Sequence, residues 1–237
     1  MHLIQPVDPH HIAETDVTYI ANVLGLEPKN EGDFKDLCSD PEIMDEILDN
    51  QAIYTALTGN RSEKLMTQDI YLYVVVRHAL QRVGLDDRKL AGYLAGMLRE
   101  YASTPRDKEA TQDMTETVYL VDLLRAVQRS SPEGRFFIRT HIGNYALYIT
   151  GIFPERLRYK SRRRSMPDFI YYEELGQSTY EAAAQDRMAW EFGVHDVFQT
   201  LAQNFRKVRM ALNELAEREL YHGDPFVNHS AMLEQVV

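Results

Sequence analysis

From residue 194 onward, apolar residues fall at Val194, Phe198, Leu201, Phe205, Val208, Leu212 and Leu215, spaced alternately four and three apart. That alternation holds one apolar stripe on one side of an α-helix packed in coiled-coil fashion, so it predicts a long helix over 194–215. Gly223-Asp224-Pro225 should close this region, leaving 224–237 as an expected flexible tail. Upstream, Phe136 to Phe153 is apolar nearly all round, relieved only by a strip of Thr140, Gly143, Asn144 and Gly151. A helix with so little polar face belongs at the centre of a fold, here over about 134–153.

The remaining pattern is also helical. Ile12, Val17, Ile20, Val23 and Leu24 predict a first helix over about 10–24, ended by Gly25. Residues 25–39 read as a connection with a turn near Phe34 and Leu37. Ser39-Asp40-Pro41-Glu42 then gives a helix start, with either Ser39 or Asp40 as the cap, and one apolar face runs on to Gly59. A helix over about 63–83 carries Ile70-Tyr71-Leu72-Tyr73-Val74-Val75-Val76, whose composition favours a strand but which continues unpunctuated to Gly84. Another begins after Asp86-Asp87 and contains Gly92 and Gly96, small residues that would let a neighbouring helix approach closely. Met114, Val118, Val121 and Leu124 mark the next, and Asp168 caps one that runs toward Trp190. The expected fold is therefore all-α: a single-domain orthogonal or irregular multi-helix bundle of seven or eight helices over 1–237.

Charge divides this chain. Residues 1–60 hold twelve acidic side chains against only Lys29 and Lys35, whereas 61–237 balances 24 of each sign, so the net charge of −10 belongs to the N-terminal quarter. An acidic subregion 1–60 on a neutral helical body 61–223 repels nucleic acid and anionic membranes and favours basic partners. No apolar run approaches the roughly 20 residues a spanning helix needs, so no membrane association is expected. With one cysteine, Cys38, no internal disulfide can form, and the N-terminus lacks the basic and apolar regions of a secretory signal. A cytoplasmic location is the expectation.

Candidate chemistry is sparse. Short signatures for nucleotide, dinucleotide, zinc, calcium or serine-hydrolase sites do not occur, and the two Glu-x-x-His motifs that a di-iron bundle requires are not both present. No catalytic residue and no metal site is therefore expected, nor a cofactor, although haem needs no short motif and stays compatible with the two histidines in apolar helices, His78 and His141. His141, with Arg139, Tyr145 and Glu174, would line a small-molecule pocket if these helices enclose one. The densest positive charge lies at Arg156, Arg158, Lys160, Arg162, Arg163 and Arg164, a pattern suited to nucleic acid or a phosphate-bearing ligand.

These features order the functional expectations. Fourteen tyrosines, 19 arginines against 7 lysines, and the amphipathic last helix suit a helical interaction or regulatory protein that self-associates, and the lack of catalytic signatures weighs against an enzyme without deciding it. A small-molecule or haem-binding protein, or an enzyme, using the His141 pocket comes second. Nucleic-acid or phosphate-ligand binding through Arg156–Arg164 comes third.

Overall fold

The computed structural model describes residues 2–26, 31–59, 66–103, 112–155, 157 and 168–220; all their regular secondary structure is helical, without a strand among them. The arginine-rich segment and the 224–237 tail lie outside the described residues. The chain divides into two compact units, one within Gln5–Thr104 and the other joining Met1–Ile4 to Pro105–Val227.

The first unit contains α1 (Glu14–Val23), α2 (Glu31–Cys38), α3 (Pro41–Leu48), α4 (Gln51–Gly59), α5 (Gln68–Arg82) and α6 (Arg88–Ser103). Asp40 caps α3 by accepting from the Glu42 and Ile43 amides, with Pro41 at the first helical position. Of the two caps the sequence offered, Asp40 is the one used. The apolar face up to Gly59 is cut into α3 and α4, because the Asn50 side chain accepts the Ala52 N–H at 2.8 Å and restarts the helix. The connection over 25–39 carries a full helix, α2, around Phe34 and Leu37. Asp16, wholly buried in α1, accepts from Ala13 N–H at 3.2 Å and from Thr67 N–H and hydroxyl at 2.6 and 2.8 Å. One carboxylate thus satisfies a first-turn donor of α1 and pins the entry of α5.

Ile70 to Leu80 of α5 are all buried, which explains how strand-like residues come to be helical: burial outweighs their propensity. Gly92 of α6 does permit a close approach, but by non-helical backbone rather than a helix. Val7 N–H donates to the Gly92 carbonyl at 2.9 Å, and a Cβ at Gly92 would lie 2.6 Å from the Val7 carbonyl oxygen. Arg99 of the same helix donates to the Gln5 carbonyl at 3.1 Å.

The second unit contains α7 (Gln112–Arg129), α8 (Pro132–Ile152), α9 (Phe169–Ala184), α10 (Arg187–Glu191) and α11 (His195–Leu215), with a final π-helical turn at Ala216–Leu220. Ser131 and Asp168 cap α8 and α9, accepting from the Gly134 and Tyr171 amides. All seven residues of the C-terminal stripe are buried. The polar strip of α8 proves to be its packing seam. Gly143 receives the Tyr180 ring, Gly151 receives Leu212, and Asn144 accepts the Tyr180 hydroxyl at 2.7 Å. On α9, Gly176 lies under the Phe205 ring so closely that no side chain would fit there. Asn213 donates to the Thr150 and Gly151 carbonyls, at the end of α8 where helical carbonyls lack intrahelical partners. Helix α8 is central to its unit, as its apolar circumference predicts: α7, α9 and α11 all pack on it.

Candidate interaction site

The corner where α9 passes through α10 into α11 is built by local rules. Helix α9 stops at Ala184, and Asp186 restarts the chain by accepting the Met188 N–H at 3.1 Å. Only five residues later α10 ends. Gly193 takes φ of +68°, and Val194 N–H reaches back to the Ala189 carbonyl at 2.8 Å, closing the helix in the manner of a left-handed C-terminal cap. The helix expected to run from Asp168 toward Trp190 is therefore interrupted, because Asp186 and Gly193 bracket a separate turn.

That turn presents Trp190, the chain's single tryptophan, with 64% of its surface exposed. The indole lies flat on the His195 ring, centroids 3.7 Å apart and planes 17° from parallel. His195 Nδ1 lies 2.8 Å from the Ala184 carbonyl, which can only accept, so Nδ1 carries a proton and the ring is anchored to the end of α9. Phe192, 49% exposed, stacks on Phe136 at 6.0 Å. Arg187 and Glu191 pair at 3.1 Å on the same short helix. Two large aromatics and both signs of charge thus stand on one corner.

Beside the corner, antiparallel α9 and α11 leave a groove of about 320 Å³. Gln177 and Gln185 line it from α9, Gln199 and Gln203 from α11. Glu181 and His195 add the titratable groups, and Ala184 and Ala202 keep it open. Beyond the groove, Glu173 pairs with Arg209, whose guanidinium stacks over Phe169 at 4.6 Å and donates to Asn213.

Set against family models, curated proteins and solved structures, the chain matches none of them. What it can do must be read from its own groups.

The site residues proposed from sequence are distributed as follows. Arg139 and His141 are half-buried on α8, Tyr145 is buried on the same helix, and Glu174 is exposed on α9. Burial lowers the His141 pKa, with His2 adding to the effect. The structure therefore keeps that imidazole neutral at physiological pH. His78 belongs to the other unit, in α5. It is 6% exposed and stacks on Tyr54 at 4.6 Å. Burial lowers its pKa too, against an opposing hydrogen bond to the Leu48 backbone. Arg156, Arg158, Lys160, Arg162, Arg163 and Arg164 lie outside the described residues.

Sequence reasoning missed the largest ionic cluster described. Arg77, 1% exposed, donates to Asp49 at 2.9 and 3.1 Å and to Asp86. Arg88 joins Asp49 at 2.8 Å and Asp45 at 3.2 Å, and His10 reaches Asp45 at 3.2 Å. Burial alone would raise the Asp49 pKa, yet Arg77 and then Arg88 outweigh it and hold the carboxyl below its ordinary value. Asp45 and Asp49 are committed to guanidinium groups that do not deprotonate, so the cluster lacks a free base and reads as a structural clamp. Its only sequence signal is an arginine inside an apolar helix, which requires carboxylates from elsewhere to reach it. Among the described residues no group of His, Cys, Asp and Glu has the makings of a metal site. Nor is any described helix long and apolar enough to cross a membrane.

Proposed function

We propose that this is a helical interaction protein that self-associates, and that two copies meet through the α10 corner. The observation that carries this reading is Trp190: a large aromatic, 64% exposed, yet held in one orientation by its stack on His195. Ordering an exposed side chain before contact removes part of the entropic penalty of binding, and preorganised aromatics dominate interface energetics. A second copy is the occupant favoured by charge. Arg187 and Glu191 lie at opposite ends of α10, their side chains 85% and 51% exposed. Across a two-fold axis, antiparallel α10 helices bring each arginine to the other copy's glutamate, the self-complementarity that an isologous interface requires.

Light scattering over a wide concentration range is the test. The wild-type chain of 27.5 kDa should run at twice that mass at high concentration. Trp190→Ser should weaken the dimer at least about 30-fold, a hot-spot loss of about 2 kcal/mol. Arg187→Glu should also yield monomer, and adding Glu191→Arg should restore the dimer because both signs are exchanged together. A wild-type protein that stays monomeric throughout sinks the proposal.

A further inference from the structure

The groove between α9 and α11 has a regularity that self-association through α10 does not use. On α9, Gln177, Glu181 and Gln185 are each four residues apart, and on α11 His195, Gln199 and Gln203 repeat the same interval. Four helical residues advance about 6 Å, so each helix offers a ladder of three polar rungs spanning about 12 Å. The two ladders run antiparallel, since Ala184 meets His195 at one end and Glu173 meets Arg209 at the other. Between the rungs stand Ala184 and Ala202, small enough to let a chain lie low between the helices.

The geometry points to this groove as a clamp for an extended polypeptide segment, gripped by its backbone, with a lysine or arginine side chain set against Glu181. An extended chain presents its amide groups to one side every second residue, a repeat of about 6.6–6.8 Å. A helical ladder with a rung each 6 Å stays in step with that repeat over three rungs, or about four peptide residues. A glutamine amide carries donors and an acceptor together, so it can pair with a peptide N–H and C=O whatever the peptide side chains are. The amide rungs are neutral, leaving Glu181 as the only acidic group of the lining, which sets the preference for one cationic side chain. Such a clamp reads backbone shape first and charge second.

The test follows the glutamine side-chain NH₂ resonances of isotope-labelled protein during titration with an acetylated, amidated Ala-Ser-Lys-Ser-Ala peptide. Parallel arms use the same peptide with N-methylated backbone, a version with norleucine for lysine, and maltose. The first peptide should move the Gln177, Gln199 and Gln203 signals together. Methylation should abolish the response, and maltose should give none. Gln199→Ala should weaken binding about three- to tenfold, the loss expected for a hydrogen-bonded rung. Glu181→Gln should make the lysine and norleucine peptides equivalent without preventing binding. No movement at peptide concentrations on the order of mM, equal binding of the methylated peptide, or movement with maltose alone each overturns the clamp. Repeating the titration on Arg187→Glu keeps the two proposals apart: a monomer that still takes peptide supports the clamp independently of the dimer, and a wild-type dimer with a silent groove refutes only the clamp.

Discussion

Gly92→Ala in the middle of α6 gives a sign-deciding test of the packing described for the first unit. In an open helix the substitution should stabilise by about 1 kcal/mol, because alanine is the better helix former. Here the new Cβ would sit 2.6 Å from the Val7 carbonyl oxygen. Carbon–oxygen contacts settle at about 3.3–3.6 Å, so the Val7 segment must retreat by about 0.7 Å or more. It is not free to do so, since Val7 N–H is bonded to Gly92 and the Gln5 carbonyl to Arg99. If the segment detaches, the buried Val7 side chain, 4% exposed, loses about 1.5–3 kcal/mol and the Val7 hydrogen bond about 0.5–1.5 kcal/mol. Set against the helical gain, the net effect is a destabilisation of about 1–3 kcal/mol.

Urea unfolding followed by circular dichroism would read that change as a midpoint lowered by about 1 M for a typical denaturant slope. Hydrogen exchange at the Val7 amide should accelerate in the variant even before global unfolding. Gly59→Ala, where nothing lies within 4 Å of the added carbon, is the control and should hold or gain stability. A raised midpoint for Gly92→Ala, or an unchanged Val7 amide, would refute the claim that backbone contact selects glycine here.

Two further outcomes follow from the ionic cluster of the same unit and from one histidine in each unit. Asp49→Asn leaves Arg77 buried with Asp86 alone, so it should destabilise by about 3 kcal/mol, the lower end for a broken buried pair. Because the folded Asp49 pKa is depressed, its stabilisation is present above the ordinary value of 3.8 and disappears as pH falls toward the folded value; the variant should show a shallower acid limb in urea midpoints below about pH 4. His78 is likewise depressed by burial, so its contribution is full above 6.5 and shrinks on acidification, when the unfolded chain takes a proton the folded chain refuses. Stability should fall between pH 7.5 and 5.5 with a slope of at most about 1.4 kcal/mol per pH unit per histidine. His78→Phe and His141→Phe should each remove part of that slope; a wild type equally stable at both values contradicts both assignments.

Much of the helical architecture was legible because it depends on periodicity and caps, which are local. The 194–215 stripe is buried at every predicted position, and Ser131, Asp40 and Asp168 start helices where their side chains can reach free amides. Breaks were harder to see. Asn50 divides a continuous apolar face, and Asp186 divides another, because a single capping side chain can end a pattern that hydrophobicity alone would carry through. Gly92 shows a different limit: the sequence announces that something approaches closely, and only the fold says that it is the non-helical backbone at Val7.

The candidate site divides along the same line. Asp186 and Gly193, seven residues apart, already bracket one short helix, and they are why Trp190 stands outside the core rather than extending α9. The glutamine ladders could also have been found, since 177, 181 and 185 and then 195, 199 and 203 share a four-residue interval in a helix-forming stretch. What no interval could supply is that the two ladders face one groove, because that requires the chain to reverse at α10 and bring His195 under Ala184. The reversal is also what sets the indole of Trp190 on the His195 ring. A change that unravels α10, such as Asp186→Ala, would therefore disturb both proposed surfaces at once, whereas Gln199→Ala and Arg187→Glu each touch only one. The corner's structural role and its two binding roles are separable by that contrast.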